Sequence, residues 1–356
     1  MKRLMIIIIM LFIFTVASLG LSSCTSKGKD DSKGSKKQSE EGKDGKEDEE
    51  KEKLDPKEAE KVMEEYAKAL IMRDNVKIKS LYSKNLVGST VEFTSKPNPH
   101  PIGYKIEKPT EKGGSFECKT TVFSVYTGQP YFSSDETKSI IIKEKGKYVI
   151  DKIQEVKFSE INESNNTLFM KEGGDIEGSR IVKINELPIF GVPQGATPDK
   201  KFSISHEKFG PIALDSEGKK LAVSTASTSP ASTTGAYPAI MIINIEDKNT
   251  KTLDLYMDSS VEEIHWNKDG KLLSVLMSDA KGTNFLYIYD MEKGKKVDDP
   301  IKDTLNKNKY NIESPYWDSK DELVFSAVGV GSLTPDENKK LGTYKFDVKN
   351  MNLIKY

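Results

Sequence analysis

Hydrophobic and polar positions divide the chain into stretches of different period. Residues 4–21 form a nearly unbroken apolar run behind Lys2 and Arg3, and residues 25–54 carry almost no apolar side chain before Leu54. From Asp55 the pattern is helical: Val62, Tyr66, Ala69 and Leu70 fall on one stripe, with Asp55 placed to cap and Pro56 at the first helical position. The "MRDN" of residues 72–75 interrupts that run, and a second short helix is predicted from Val76 to Leu81. Alternation then replaces the helical period over residues 115–126 and 138–156, with a turn at Lys145 and Gly146. Helix, helix, then antiparallel sheet is an α+β order.

Beyond residue 158 one unit recurs. "INESNNTLFMKEG", "LDSEGKKLAVSTA", "WNKDGKLLSVLMS" and "WDSKDELVFSAVG" each set a polar turn before an apolar strand. Their anchors, Asn162, Asp215, Asn267 and Asp318, are spaced by 53, 52 and 51 residues. A second β-rich signature follows in each copy, as in "IMIINIEDKNTKTLDL" and "FLYIYDMEKGKKV". A period of about 40–50 residues with four strands per unit is the pattern of a propeller blade. In such a meander the short polar turns share one face. The long segments 224–239, 297–316 and 328–342 share the other, where binding concentrates on a rigid scaffold. Tyr237, Tyr310, Tyr316 and Trp317 lie in or beside those segments and are the candidate partner-binding residues.

Three resemblances attach to these residues. Leu21-Ser22-Ser23-Cys24, placed where the apolar run stops, resembles a bacterial lipobox. The resemblance implies diacylglycerol attachment to Cys24, further acylation such as palmitate, removal of residues 1–23 and anchorage on the extracytoplasmic side of the cell membrane. Two or three chains provide lasting attachment where one does not. The rival reading of residues 4–21 is a retained membrane helix. "Tyr66-Ala67-Lys68-Ala69-Leu70", Asp74, "Leu81-Tyr82-Ser83" and the strand "GKYVIDKI" resemble the cone fold of nuclear transport factor two and the SnoaL cyclases over residues 55–157. "His265-Trp266-Asn267-Lys268-Asp269-Gly270-Lys271-Leu272-Leu273" resembles the blade motif of TolB-type and WD-repeat propellers over residues 158–356. The expected chain is thus a signal peptide, a lipidated and disordered charged tether (24–54), an α+β cone with helices on a curved antiparallel sheet, and an all-β propeller-like domain of about four repeats.

Charge and chemistry narrow the function. The formal net charge is −1, so nothing indicates a surface built to neutralise nucleic-acid phosphates. The tether cannot bury enough apolar surface to order itself, and as a coil of about 30 residues it reaches roughly 30 Å. Only two cysteines occur, Cys24 and Cys118, in unlike contexts, and the second reads as a buried free thiol. Enzymes on the cone fold use an internal acid or base, and the candidates are thin. His100 lies in a proline-rich loop and is expected to be exposed, Asp135 in a turn composition, and Glu117 outward beside Lys119. Tyr66, Tyr82, Tyr104, Tyr126 and Tyr148 read as core. "NKDG" and "DSEG" are β-turn chemistry and lack the full calcium-loop pattern, and His206 and His265 have no partner at ligand spacing. No metal, no cofactor and no catalytic residue is expected. The function read from the sequence is a non-catalytic protein-binding or scaffold lipoprotein that docks an extracytoplasmic or membrane partner through the propeller loops. A ligand-binding or enzymatic cone with the propeller as platform is the alternative, and a regulatory or sensory lipoprotein is a third.

Overall fold

The computed structural model describes residues 54–88, 99–228, 235–298 and 300–356; Cys24, the lipobox and the tether up to Lys53 lie outside them. Helix α1 (Pro56–Met72) starts as its sequence dictates: the Asp55 side chain accepts from the Lys57 N–H, and Pro56 spends no donor. It ends at Arg73, whose left-handed backbone (φ 58°) returns its N–H to the Ala69 and Leu70 carbonyls. Two short helices follow, α2 (Asn75–Ser80) and α3 (Lys84–Val87).

The first sheet has seven strands: β1 (His100–Ile106), β2 (Thr110–Lys112), β3 (Ser115–Val125), β4 (Phe132–Glu144), β5 (Lys147–Ser164), β6 (Thr167–Glu172) and β7 (Ser179–Lys183). Their order is β1-β3-β4-β5-β6-β7, with β2 paired to β3. The hairpin between β4 and β5 turns on Lys145 and Gly146, both at positive φ. Helix α1 lies across β1, β3 and β5, and Ala59, Met63, Phe116, Ile141 and Ile150 fill the space between. Strand β5 runs unbroken through residues 157 and 158, so one sheet carries both the strands before that point and the first repeat. Asn162 therefore sits inside a strand, opposite Phe169, and the turn falls at Asn165–Asn166.

Three four-stranded antiparallel sheets follow, and they resemble propeller blades. The first is β10 (Lys208–Leu214), β11 (Lys220–Ala226), β13 (Ala239–Asn244) and β14 (Thr250–Leu255). Next come β15 (Ser259–Trp266), β16 (Leu272–Asp279), β17 (Asn284–Asp290) and β18 (Lys295–Lys296). The last is β19 (Tyr310–Trp317), β20 (Glu322–Gly329), β21 (Gly342–Asp347) and β22 (Asn352–Lys355). A small sheet of β8 (Phe190–Gly191), β9 (Phe202–Ile204) and β12 (Ala236–Tyr237) sits beside them. Strands β11 and β16 are buried almost end to end, because sheets stacked face to face cover both sides of a second strand. That is why these two read as continuous apolar runs rather than alternations.

The sheets return on themselves. β10 packs on β3, β4 and β15, β15 on β19, and β19 on β1 and α1, where Ala67, Ile71, Tyr104, Tyr316 and Val324 form one buried cluster. The edge strand of each sheet at this centre carries a bulge: β1 between Pro101 and Gly103, β10 between Phe209 and Ile212, β15 between Val261 and Glu263, and β19 between Glu313 and Tyr316. Pro101, Pro211 and Pro315 fall within or beside three of them, as expected for a residue without an N–H on an edge strand.

The short turns repeat in chemistry as well as position. Asp215 Oδ1 accepts from the N–H groups of Lys219 and Lys220, and Asn267 Oδ1 accepts from those of Lys271 and Leu272. At the last turn Ser319 Oγ does this work, which releases Asp318 to pair with Lys68 at 2.6 Å and Lys345 at 3.5 Å. Neighbouring turns bond to each other, Ser216 Oγ to Lys268 O at 3.0 Å and Asn267 Nδ2 to Lys320 O at 2.6 Å.

Candidate functional site

The long segments gather at the opposite ends of the strands from these turns. In an antiparallel meander the connections after β11, β14, β16, β18 and β20 must share one side. Two of the long segments fold locally: α4 (Ile301–Thr304) lies in one, and α5 (Pro335–Asn338) in the other, with Thr334 and Glu337 forming a capping box.

On this side a cleft of about 610 Å³ opens between the ends of β11 and β16 and the starts of β10 and β15. Its walls are rich in hydroxyls, among them Ser224, Thr225, Ser259 and Ser278, and Asp258 and Asp279 add carboxylates. Tyr237 lines it, half-buried and held edge-on against Phe202 with ring centroids 5.5 Å apart. Met257 at the same cleft is 49% exposed.

The other three expected partner-binding residues are core. Tyr310 is buried and its hydroxyl donates to the Glu337 carbonyl at 3.0 Å, pinning α5. Tyr316 is buried against Ala67 and Ile71 of α1. Trp317 is buried and donates Nε1 to the His265 carbonyl at 3.1 Å. Each lies on β19, the strand that α1 and the preceding sheet cover, so a loop-proximal position in sequence does not become an exposed ring. Of the four, Tyr237 is the one left half-buried rather than buried, although Tyr310 borders a second cleft of about 790 Å³ beside α4.

At the centre of the molecule the structure assembles a cluster that sequence spacing does not show. His100 is in β1 rather than an exposed loop, and is 7% exposed. Its Nε2 meets Glu263 Oε1 at 3.0 Å, and Thr127 Oγ1 donates to the same oxygen at 2.8 Å. Glu263 Oε2 faces His265 Nε2 at 3.2 Å, and His265 is 1% exposed. Burial works to raise the Glu263 pKa, but the two imidazoles overcome it and hold the carboxyl well below the usual carboxylate range. An ionised carboxylate only accepts, so His100 Nε2 donates to it, while His265 Nε2 lies 3.2 Å away without hydrogen-bond geometry. Arg73 stands nearby at the left-handed end of α1; desolvation draws its pKa down while Glu263 and Glu313 act against that. Arg73, His100, Glu263 and Glu313 line a cavity of about 150 Å³. The cluster ties β1 to β15 across the centre.

The remaining candidates are placed as follows. Asp135 is inside β4 rather than in a turn, half-buried, and desolvation raises its pKa. Glu117 is on the sheet surface against Lys112 and Lys138, at 3.1 and 3.4 Å. Tyr66 and Tyr82 pack together with centroids 5.8 Å apart. Cys118 is buried and free. His206 meets the Pro188 carbonyl at 3.1 Å.

No protein-family model matches the chain, and no curated protein matches it. Among solved structures it is distantly similar to TolB-like and other propeller proteins. TolB from Acinetobacter baumannii aligns at 12% identity and a TM-score of 0.35, over 71% of this chain and 57% of that one, so this chain spans little more than half of that protein. A TolB of Agrobacterium tumefaciens aligns at 9% identity and a TM-score of 0.34, over 68% of this chain and 89% of that one. A Dos1 propeller aligns at 9% identity and a TM-score of 0.30, over 66% of this chain and 64% of that one. The likeness is one of fold.

Proposed function

We propose that this protein is a lipid-anchored extracytoplasmic binding protein that docks a partner protein on the long-loop side of its β-sheets. One observation carries the reading: the cleft beside Tyr237, with a half-exposed Met257 at its rim, lies on the side where the long connections meet. An aromatic or Met anchor within a polar rim is the usual chemistry of a protein-binding patch. The lipobox-like Leu21-Ser22-Ser23-Cys24 and the charged stretch of residues 25–54 support the membrane half of the proposal. The finer fold reading is a four-bladed ring in which β1-β3-β4-β5 takes the first blade position. Its support is the bulge shared by β1, β10, β15 and β19 and the packing of β19 on β1. The cone reading of residues 55–157 is supported by α1 lying across β1, β3 and β5.

The test is site-specific photocrosslinking of the full chain in intact cells, with the reactive group at position 257 or, on the opposite side, at the exposed position 246. A discrete adduct from 257 that is absent from 246 and lost in Tyr237→Ala supports docking on this side. Equal adducts from both positions, or none from either, overturn it. Cys24→Ala checks the anchor separately: incorporation of labelled palmitate and removal of residues 1–23 are expected to be lost together, and labelling that persists in the variant, or is absent from the parent, sinks the lipidation reading.

A further inference from the structure

Away from the loop side, a partly open cavity of about 190 Å³ lies where α1, β1 and the short turns meet. Its body is apolar and aromatic: Phe123 and Phe132 stack with centroids 5.9 Å apart, and Trp266 and Trp317 complete the walls. Both indoles are fixed, because Trp266 Nε1 donates to the Ala213 carbonyl and Trp317 Nε1 to that of His265. The walls are thus preformed, and an apolar cavity of about 150 Å³ already accepts a single aromatic ring.

The polar lining is of two signs. The Lys268 ammonium lies 4.3 Å from the centroid of the Tyr104 ring, and desolvation there draws its pKa down. Among the described residues no carboxylate comes within 4.0 Å of it, although Glu64, Asp318 and Glu60 are near enough to act on its charge, with Lys68 acting against them. Those two glutamates, one turn apart on α1, also line the cavity and have no ion-pair partner among the described residues. A cation and two carboxylates that face one space without closing on each other leave room for a group that bridges them. A single charge satisfies one side and meets like charge on the other; a zwitterion satisfies both.

We propose that this cavity binds a small zwitterion with an apolar, ring-sized side group, the chemistry of a free apolar α-amino acid. Its carboxylate pairs with Lys268, its ammonium with Glu60 and Glu64, and its side group fills the slot between Phe123, Phe132 and the two tryptophans. The site is independent of the loop side and of any partner docked there.

Trp266 and Trp317 are the only tryptophans of the chain, so intrinsic fluorescence reads the cavity directly. The full chain in detergent is titrated with phenylalanine, with phenylacetate and with phenethylamine, which carry both charges, only the anion and only the cation. The expected result is a saturable emission change with phenylalanine and binding at least about tenfold tighter than either analogue, the loss that goes with one charge-assisted contact. Lys268→Met is expected to bring phenylalanine down to the level of phenethylamine, and Glu64→Gln to weaken it without abolishing folding, since both side chains lie at a partly open surface. No saturable change with phenylalanine, equal affinity for all three probes, or unchanged binding in Lys268→Met each overturn the proposal. Loss of the loop-side adduct leaves these titrations untouched, so the two readings fail separately.

Discussion

Trp317 Nε1 donates to the His265 carbonyl at 3.1 Å, and 51 residues earlier Trp266 Nε1 donates in the same way to the Ala213 carbonyl at 2.9 Å. The indole closing one sheet's first strand therefore holds the first strand of the sheet before it. This is the physical content of the repeated tryptophan: a staple between sheets as well as a large apolar side chain. Trp317→Phe keeps most of the packing and removes the donor, leaving a buried carbonyl without its partner. The variant is expected to lose about 1–3 kcal/mol in denaturant unfolding, with near-native circular dichroism. A loss within error would show that the bond contributes nothing beyond packing.

Glu263 gives a pH signature. Its folded-state pKa is depressed by His100 and His265, so its contribution is complete above the unfolded value of roughly 4.3 and is lost as pH falls toward the folded one. Wild-type stability is therefore expected to decline on acidification below about pH 5, in part through this group. Glu263→Gln leaves His100 and Thr127 a neutral acceptor and turns an amide donor toward His265, and is expected to be less stable at neutral pH by about 1–3 kcal/mol and to show a shallower acid decline. Parallel pH profiles for the two proteins would exclude the carboxylate as a source of the acid slope.

Asn267 joins two levels of the structure. Its Oδ1 closes its own turn on Lys271 and Leu272, and its Nδ2 reaches the Lys320 carbonyl in the next turn at 2.6 Å. Asn267→Asp keeps the acceptor but removes the donor and sets a second carboxylate against Asp269, which Asn267 Nδ2 meets at 2.8 Å, while Asn267→Ala removes both groups. Ala is expected about 2 kcal/mol or more below wild type, and Asp is expected to fall below wild type and to recover in part when Asp269 is also replaced by Asn. Ala within error of wild type in thermal unfolding would mean that neither bond contributes.

Legibility in the sequence followed contact distance. Asp55–Pro56, the turn at Lys145–Gly146 and the anchors Asp215 and Asn267 are local chemistry, and each acts where its neighbours in the chain imply. Asn162 failed as an anchor because the first repeat shares one sheet and strand β5 with the strands before it, and pairing with Phe169 overrides a turn-forming residue. His100 misled for a related reason. Its flanking prolines read as loop, but they mark an edge strand with a bulge, and its partner Glu263 is 163 residues away. The pair Glu263 and His265, two apart on one strand face, was visible as "EEIHW"; what it faces was not. Tyr310, Tyr316 and Trp317 show the limit on the other side, since nothing local announces that α1 covers β19.

Cys118 supplies the last prediction, and it runs opposite in sign to that of Glu263. The thiol is buried between α1 and the first sheet, where Sγ donates to the Glu107 carbonyl at 3.3 Å, and desolvation pushes its pKa up to about 11. A group that ionises more readily in the unfolded chain stabilises the fold fully below its unfolded value, roughly 8.5 for a thiol, and ceases to do so as pH rises through the folded value. Two outcomes follow. In the Cys24→Ala background, which leaves Cys118 as the sole thiol, alkylation at pH 8 is expected to be negligible in the native protein and rapid in denaturant. Stability is expected to fall between about pH 8.5 and 11 more steeply in the parent than in Cys118→Ala, once the cavity cost of the smaller side chain is subtracted as a constant offset. Rapid native alkylation would place the thiol at the surface, and parallel alkaline limbs would remove desolvation as the governing effect at this site.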